Sequence, residues 1–469
     1  MSTSNQRPSN TASSATPAAV KDFIHAQRND LFAELAKLVA LYTVHGETDT
    51  AADRQQAVDL LVASIDELNM GFVTKTFDTS DGSTAIVAHR APKNNQPTVL
   101  LYCHYDVVPV PDRDAWISDP LELTERDGRW YGRGAADCKG NVVAHFAALR
   151  ALHHFGDTGV GITLLIEGSE ERGGEGLHDL IHEQPELVAA DAIMIVDTGG
   201  VAVGVPTLTT SLRGGALVDV TVNTMQHAVH SGSFGGAAPD AVAALMQSLA
   251  TLKDPATGAT TIDGVDCSGR WTGAPYNKET FAADAGVLDG VAVLGGDDAT
   301  PADLVWARPA VTVIGFTSTP VEDAVNAVPH TASARLNLRV PAGMDAQATA
   351  EALKAHVARH IPWGAQAEVT IVDVNPPFQG TTEGPVAEIL STAMSQAFDD
   401  KETVAIGSGG SIPLTTALQE LHPNAAIALY GVEEPQCAIH SANESVSPAE
   451  IESIATAEAL FLLRYGSQD

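Results

Sequence analysis

The chain has 469 residues, of which 44% are hydrophobic, so it can bury more than one core and is expected to form two domains. It carries 59 acidic residues against 26 basic ones, which gives a formal charge of -33. This charge repels phosphate backbones and anionic lipid surfaces, so neither nucleic acid nor a membrane is an expected partner.

The N-terminal stretch, residues 1–19, is rich in Ser, Thr, Asn and Pro and lacks the apolar region of a signal peptide, so we predict a disordered tail. No window approaches eighteen uninterrupted apolar residues, which argues against a membrane span. Four cysteines without a C-x-x-C pair indicate neither a disulfide framework nor a thiolate zinc site. We therefore expect a cytoplasmic protein.

Between Val20 and Phe72, two segments have apolar residues at three- and four-residue spacing, which predicts two amphipathic helices. A further helix is predicted over CKGNVVAHFAALRALHHF, just after Asp137. Short apolar runs predict buried strands over TVLLYCH, VGITLLIEG, DAIMIVD and NAAIALYG. Strands that alternate with helices favour an α/β domain whose mainly parallel sheet is flanked by helices.

The middle third of the chain has a different pattern. Its predicted strands and helices follow the order β-α-β-β-α-β, which is typical of a ferredoxin-like α+β domain. A Gly- and Asp-rich stretch between Lys253 and Pro309 interrupts this order and has no clear assignment. We expect residues 20–211 and 377–469 to form one discontinuous domain, with residues 212–376 inserted as a second.

Polar side chains gather at the predicted strand ends and beside them, where ligands bind in open α/β sheets. The candidates are His104, Asp137, Glu170, Glu171, Asp197 and His440. So many carboxylates in one crevice would repel each other unless cations lie between them. Mixed His and carboxylate ligands without cysteine suit zinc, manganese or cobalt better than calcium.

Each candidate also has an ordinary structural interpretation when it is taken alone. His104 could be a core histidine that bonds a carbonyl, and Asp137 could cap the helix that follows it. Asp197 fits a turn, and His440 fits a loop. Their common placement at one edge of the sheet favours a metal site. Asp106, two residues after His104, could orient that imidazole from the second shell of ligands.

Seven motifs in chain order resemble those of the M20 metallopeptidase family, particularly its carnosinase-like dipeptidase branch. They are CHYDVVP, GRGAADCKG, EGSEERGGEG, IVDTGG, HSGSFGG, GSGGSIP and HSANE. The resemblance implies a zinc-peptidase type of α/β domain, similar to phosphorylase/hydrolase folds, with an inserted ferredoxin-like lid and dimerisation domain. It also implies a non-proline cis peptide between Asp137 and Cys138.

By this resemblance two divalent metal ions are expected, zinc first, with manganese or cobalt as alternatives. Asp137 would bridge them; His104 and Asp197 would complete one ligand set, and Glu171 and His440 the other. Glu170 would stay free of metal and act as general base for the attacking water. Ser169 and Ser411 are weaker alternatives as nucleophiles, because neither lies in a G-x-S-x-G elbow.

For the inserted domain, the resemblance implies that His230 of a partner subunit binds the scissile carbonyl oxygen, which makes a homodimer the expected assembly. Arg339, Gly410 and Ser411 would hold the substrate's terminal carboxylate. The same residues could also be an exposed imidazole, a solvated arginine and a Gly-rich turn. Asn326 stands where the carnosinase-like branch has threonine, which resembles the deacylase branches.

The sequence therefore predicts a hydrolase that cleaves the amide bond of dipeptides or similar small peptides. The alternative is an N-acyl amino acid deacylase of the same family, similar to aminoacylases or succinyl-diaminopimelate desuccinylase. A third hypothesis, a metal-dependent binding protein without turnover, is disfavoured because the candidate base Glu170 is present.

Overall fold

The protein is described by a computed structural model that covers residues 15–467 except 157 and 411. Most of the predicted tail therefore lies outside the described residues, as does Ser411. The first helix already begins at Pro17, inside the stretch assigned to the tail, with the Thr16 side chain accepting a hydrogen bond from the Ala19 N–H. In the part of the chain that is described, no helix combines the length and apolarity needed to cross a bilayer.

The helices follow one another along both parts of the chain. They are α1 (Pro17–His25), α2 (Arg28–Val39), α3 (Ala51–Glu67), α4 (Lys139–Phe155), α5 (Glu175–Glu183), α6 (Ser231–Phe234), α7 (Ala241–Ala250), α8 (Lys278–Asp284), α9 (Ala346–His360), α10 (Pro385–Ala397), α11 (Pro413–Leu421) and α12 (Pro448–Tyr465).

The strands range from two to ten residues. They are β1 (Val73–Asp78), β2 (Thr84–Arg90), β3 (Thr98–His104), β4 (Thr124–Arg126), β5 (Arg129–Tyr131), β6 (Gly161–Glu167), β7 (Ala192–Val196), β8 (Thr207–Leu212), β9 (Gly214–Asn223), β10 (Val229–His230), β11 (Ala310–Thr317), β12 (Ala327–Val328), β13 (Thr331–Val340), β14 (Gln366–Asn375), β15 (Phe378–Gln379), β16 (Val404–Ser408), β17 (Ala426–Tyr430) and β18 (Ser445–Val446).

The first compact unit contains the described residues of Met1–Thr209, Gly380–Val404 and Ala417–Asp469. Its central sheet has the order β1-β2-β6-β3-β7-β17. The four strands from β6 to β17 are parallel, whereas β1 and β2 form an antiparallel hairpin at one edge. The predicted α/β class is confirmed. The sheet is mixed rather than fully parallel, because only five residues connect β1 to β2, and so short a connection joins antiparallel strands.

Helices cover this sheet and supply most of the core. The parallel strands β3, β6 and β7 are apolar and buried along almost their whole length, as expected for strands covered on both faces. Helix α4 is buried from Lys139 to Leu149 and packs against β3 and α12. The sequence predicts two helices between Val20 and Phe72, and the first of them is divided into α1 and α2 because the chain turns at Ala26 and Gln27.

The second unit contains Thr210–Gln379 and the described residues of Ala405–Thr416. Its sheet has the order β11-β13-β9-β14, all antiparallel, with α7 and α9 packed on it. This is the predicted β-α-β-β-α-β arrangement. The stretch from Lys253 to Pro309 contains α8 and a π-helical turn at Asp303–Ala307.

Residues 405–416 fall in the second unit, although the sequence-based division places them in the first. The reason is local packing, because the Ala405 carbonyl accepts a hydrogen bond from Ala274 at 2.7 Å. Gly407 also lies so close to Trp306 that a Cβ there would be 2.8 Å from the tryptophan side chain. The Gly-rich motif therefore belongs to the inserted unit.

Candidate metal centre

Three neighbouring parallel strands deliver polar side chains to one edge of the first unit's sheet. Strand β3 ends at His104, and Asp197 follows β7 directly. Strand β6 ends at Glu167, and the chain then makes a 3-10 turn that contains Glu170 and Glu171. Because β6, β3 and β7 are adjacent and parallel, their carboxyl ends meet at the same edge.

The two remaining candidates come from loops at this edge. Asp137 precedes α4, whose N-cap is Cys138, and the peptide bond between them is cis, as the resemblance implies. His440 lies in the loop after β17 and has a φ of +61°, a left-handed conformation that is unusual for histidine. Ala438 and Asn443 in the same loop also have positive φ. Such backbone conformations persist only where the surroundings hold them.

The Asp137 carboxylate lies between the two imidazoles. Its Oδ1 is 3.1 Å from His104 Nε2, and its Oδ2 is 3.0 Å from His440 Nε2. His104 Nε2 is also 3.2 Å from Asp197 Oδ1, while His440 Nε2 is 3.1 Å from Glu171 Oε2. By these ion-pair contacts the ligand candidates fall into two groups, and Asp137 belongs to both.

Asp106 is fully buried and supports both groups from behind. Its two carboxylate oxygens accept the backbone N–H groups of Glu170 and Glu171, each at 3.1 Å. Its Oδ1 also lies 3.3 Å from His104 Nδ1. One carboxylate therefore fixes both the imidazole ring and the turn that carries the two glutamates.

The adjacent glutamates have different surroundings. Glu171 Oε2 lies close to His440, and its Oε1 is buried without a hydrogen-bond partner. Glu170 Oε2 is 4.0 Å from His104 Nε2, which is beyond hydrogen-bond distance. A 3-10 turn separates successive side chains by about 120°, so one carboxylate can join the ligand group while its neighbour stays outside it.

The pKa values of the cluster show that its carboxylates lack a neutralising positive charge. Burial and the negative charge of Asp197 raise the pKa of Glu170 to about 9. Burial also raises the pKa of Glu171 and Asp197. Hydrogen bonds to Asp137 and Glu171 raise the pKa of His440 to about 10. Positive charge at this edge would therefore relieve the repulsion between these carboxylates, and a divalent cation would supply it.

The donor set fits divalent cations. One ligand atom from each of His104, Asp137 and Glu171 lies within 4.8 Å of the others, and the orphaned oxygen of Glu171 is an available ligand. Cys138 lies within the same distance of His104 and Asp197. Burial raises the pKa of its thiol well above the ordinary value, and its Sγ donates to the Val196 carbonyl. Cys138 is thus a packing residue.

Glu444 supports this cluster, although the sequence analysis did not single it out from the HSANE motif. Its buried carboxylate accepts the backbone N–H groups of Gly134, Ala136 and Asp137 and forms a 2.6 Å ion pair with Arg133. Arg133 also donates to the Ser441 carbonyl in the loop of His440. This pair therefore ties the Asp137 segment to the His440 loop.

In the second unit, strand pairing brings two of the predicted site residues together. His230 pairs with Ala327, and the Asn326 carbonyl accepts the Ser231 N–H at 2.9 Å. The His230 side chain is exposed, and its Nδ1 accepts the Gly232 N–H. Neutral His230 therefore carries its proton on Nε2, from which it can donate.

Arg339 lies near the end of β13, and Gly410 lies in the loop after β16. Arg213, which the sequence analysis did not consider, lines the same cavity as Arg339. Ser411 lies outside the described residues, so its predicted contact with the substrate's carboxylate stays a prediction.

The comparisons with known proteins agree on one protein family. Residues 100–464 match the model of Peptidase family M20/M25/M40. The chain is 50% identical over 440 residues to the cysteinylglycine-S-conjugate dipeptidase of Corynebacterium striatum, which covers 94% of this chain and 96% of that protein.

Solved structures show the same fold at lower identity. The crystal structure of human carnosine dipeptidase 1 matches with a TM-score of 0.76 and 22% identity, and covers 97% of this chain and 99% of that one. The di-peptidase Dug1p from Saccharomyces cerevisiae matches with a TM-score of 0.75 and 20% identity, and covers 97% and 100%.

Replacing Glu444 by alanine is expected to reduce the free energy of unfolding of the first unit by about 3–5 kcal/mol, because Arg133 would be left buried without its counter-charge. Chemical denaturation followed by far-UV circular dichroism measures this. Metal content should also fall, since the segment that carries Asp137 loses three hydrogen bonds.

A matched control is Asp219→Ala, which breaks an ion pair with Arg335 whose two side chains are 40% and 48% exposed. Solvent screens such a pair, so little change in stability is expected. Equal effects of the two substitutions would contradict the role assigned to Glu444.

Proposed function

Since the chain belongs to Peptidase family M20/M25/M40, a family of metal-dependent peptidases, we propose that it hydrolyses dipeptides with the help of two divalent cations and Glu170 as general base. The Corynebacterium striatum relative acts, by its name, on S-conjugates of cysteinylglycine. We propose the same substrate class here, a dipeptide with a free terminal carboxylate.

One observation carries this proposal: the two oxygens of Asp137 face two different imidazoles, each with a further carboxylate beside it. A single cation would need one convergent group of ligands, whereas this arrangement supplies two groups. His104, Asp137 and Asp197 would hold one ion. Asp137, Glu171 and His440 would hold the other.

When bound, the cations supply Lewis acidity, which polarises the substrate carbonyl and makes water acidic enough to be deprotonated near neutral pH. Zinc is the first candidate from the donor types, with manganese or cobalt as alternatives. Asp106 keeps the His104 ring and the glutamate turn in place, so it is a positioning residue.

Glu170 moves the proton. Its carboxylate lies 4.0 Å from His104 Nε2, outside the closer contacts of the two ligand groups, and there it would accept a proton from a water at this edge. The water oxygen forms a bond to the amide carbon, the carbon–nitrogen bond breaks, and Glu170 delivers the proton to the departing amine. The products are two amino acids, with no covalent enzyme intermediate.

His230 would stabilise the negative charge that develops on the carbonyl oxygen, since its Nδ1 accepts the Gly232 N–H and its Nε2–H donates to none of the described residues. We propose that this histidine acts on the substrate of a partner subunit, so the enzyme is a homodimer. Strand β11 supports this assembly. It is an edge strand of the inserted sheet and exposes Val313, Ile314 and Phe316, a pattern that favours association.

We also propose the cytoplasm as the compartment of this enzyme. All four cysteines of the chain are free, and three of them are buried, so none forms a stabilising disulfide. Free thiols of this kind are typical of reducing compartments.

The alternative, an N-acyl amino acid deacylase, rests on Asn326 at a position where the carnosinase-like branch has threonine. The 50% identity to a dipeptidase over 440 residues weighs against this alternative. Asn326 immediately precedes β12, and its carbonyl accepts the N–H of Ser231 next to His230, so its effect is expected on the substrate rather than on the ligands.

A substrate panel tests the proposed function. We expect the protein with added zinc or manganese to release amine from cysteinylglycine, its S-conjugates and simple dipeptides, and to act poorly on N-acetyl and N-succinyl amino acids. Removal of metal by a chelator should abolish the activity. Faster turnover of the acylated amino acids than of every dipeptide would favour the deacylase instead.

The two adjacent glutamates can be separated by single substitutions. Glu170→Gln should keep the metal content of the protein and lower kcat about 100- to 10,000-fold, because a general base is lost. Glu171→Gln should lower the metal content itself, since it removes a ligand. Metal analysis and steady-state kinetics on both variants measure this, and near-normal turnover by Glu170→Gln would remove it as the base.

Mixing two inactive variants tests the shared active site. If His230 acts across the dimer, randomly reassorted His230→Ala and Glu170→Gln subunits should regain about a quarter of wild-type activity, since half of the dimers are hybrids with one intact site. Glu170→Gln mixed with Glu171→Gln is the control and should regain none, because both lie in the same unit. No recovery in the first mixture would exclude the role across the dimer.

A further inference from the structure

Among the described residues, one further group of potential metal ligands lies outside the first unit. It consists of Asp263, His356 and His360, each of which offers a ligand atom within 4.8 Å of the other two. All three residues belong to the inserted unit. His356 and His360 are four residues apart on α9, which places both imidazoles on the same face of the helix. Asp263 comes from the Lys253–Pro309 stretch, so the group joins two segments that are far apart in sequence.

The Asp263 carboxylate faces both imidazole rings. Its Oδ1 is 3.2 Å from His356 Nδ1, and its Oδ2 is 3.1 Å from His360 Nε2. Ligand atoms that lie about 2.1 Å from a tetrahedral zinc ion are about 3.4 Å from each other. The side chains are therefore already close to the spacing that a zinc ion requires.

Hydrogen bonds fix the tautomer of His356, whose side chain is buried. The Thr251 hydroxyl donates to the Ser248 carbonyl at 2.6 Å, so the Thr251 oxygen accepts from His356 Nε2–H at 2.8 Å. Burial lowers the pKa of His356 below its ordinary value, so the ring is neutral at pH 7 and Nδ1 carries a lone pair. Histidines that bind metals commonly donate from their second nitrogen in this way.

The Nδ1 lone pair of His356 faces an electron-rich oxygen. Both His356 Nδ1 and Asp263 Oδ1 are acceptors, and a cation between them would replace their repulsion by attraction. The backbone N–H of Asp263 also donates to Nδ1, at 3.0 Å. Because Asp263 is exposed, water can accept this N–H when a cation takes the lone pair.

Arg359 supplies a positive charge to Asp263 in the structure. Its Nη1 is 2.8 Å from Asp263 Oδ2, but its side chain is 65% exposed. Exposed ion pairs contribute little to stability, so a divalent cation can displace this guanidinium. Two imidazoles and one carboxylate suit zinc better than magnesium or calcium, which prefer oxygen ligands.

We propose that Asp263, His356 and His360 form a zinc site in the inserted unit, with no ligand in common with the candidate metal centre of the first unit. Water would complete the coordination, because Asp263 and His360 are partly exposed. The ion would attach α9 to the Lys253–Pro309 stretch, so its role is structural rather than catalytic.

Zinc content, measured by equilibrium dialysis and mass spectrometry, tests this site. At micromolar free zinc we expect the wild-type protein to hold one zinc ion per chain more than His360→Ala or Asp263→Asn. Both side chains are partly exposed, so the variants should keep the fold, which far-UV circular dichroism checks. The ligand candidates of the first unit are unchanged in these variants, so the difference does not depend on whether the protein hydrolyses dipeptides.

Equal zinc content of the wild-type protein and His360→Ala at every free-zinc concentration would overturn the proposal. A difference that develops only above about 1 mM free zinc would also overturn it, because such binding is too weak to hold an ion in place.

His182→Ala is the matched control. His178 and His182 are also four residues apart on one helix, α5, and their ring centroids are 4.2 Å apart, against 4.3 Å for His356 and His360. Among the described residues, this pair belongs to no group of potential metal ligands. His182→Ala should therefore hold as much zinc as the wild-type protein. An equal loss of zinc in His182→Ala and His360→Ala would indicate adventitious binding to surface histidines and would contradict the site.

Arg359→Gln examines the same site from the opposite direction, because it removes the charge that competes for Asp263. Zinc binding should become tighter by up to about fivefold, the range expected when an exposed ion pair no longer has to be broken. Weaker zinc binding by this variant would show that zinc does not take the place of the guanidinium, and the proposed ligand set would be wrong.

Discussion

The structure of the first unit must accommodate several carboxylates that lie close together around Asp137. Its carboxylate lies between His104 and His440, and Asp197 and Glu171 lie beside these rings. The raised pKa values of the surrounding carboxylates express the repulsion that such a cluster creates. Cations bound here would relieve this repulsion, so metal binding and the local fold are expected to stabilise each other.

The chain supports this cluster with buried hydrogen bonds and ion pairs rather than with rigid strands alone. Asp106 holds the turn of the two glutamates, and Glu444 holds the segment of Asp137. Arg133 extends this support to the loop of His440, where the backbone adopts left-handed conformations. Loops can carry ligands with strand-like precision when every backbone donor near them has a fixed acceptor.

In the inserted unit, the charges that lie close together are positive rather than negative. Its cavity collects basic side chains in an otherwise acidic protein, and the buried Nε of Arg213 has no hydrogen-bond partner among the described residues. An acidic centre in one unit suits cations, and a basic cavity in the other suits an anion.

The sequence by itself determined the α/β class, the inserted β-α-β-β-α-β unit and the strand-end positions of His104, Glu170, Glu171 and Asp197. Apolar periodicity and strand length are local properties, so they can be read directly from the sequence. Only the tertiary structure decided the break between α1 and α2, the placement of residues 405–416, and the contacts of Glu444 and Arg213. Each depends on a contact between residues far apart in sequence, and such contacts leave no local pattern.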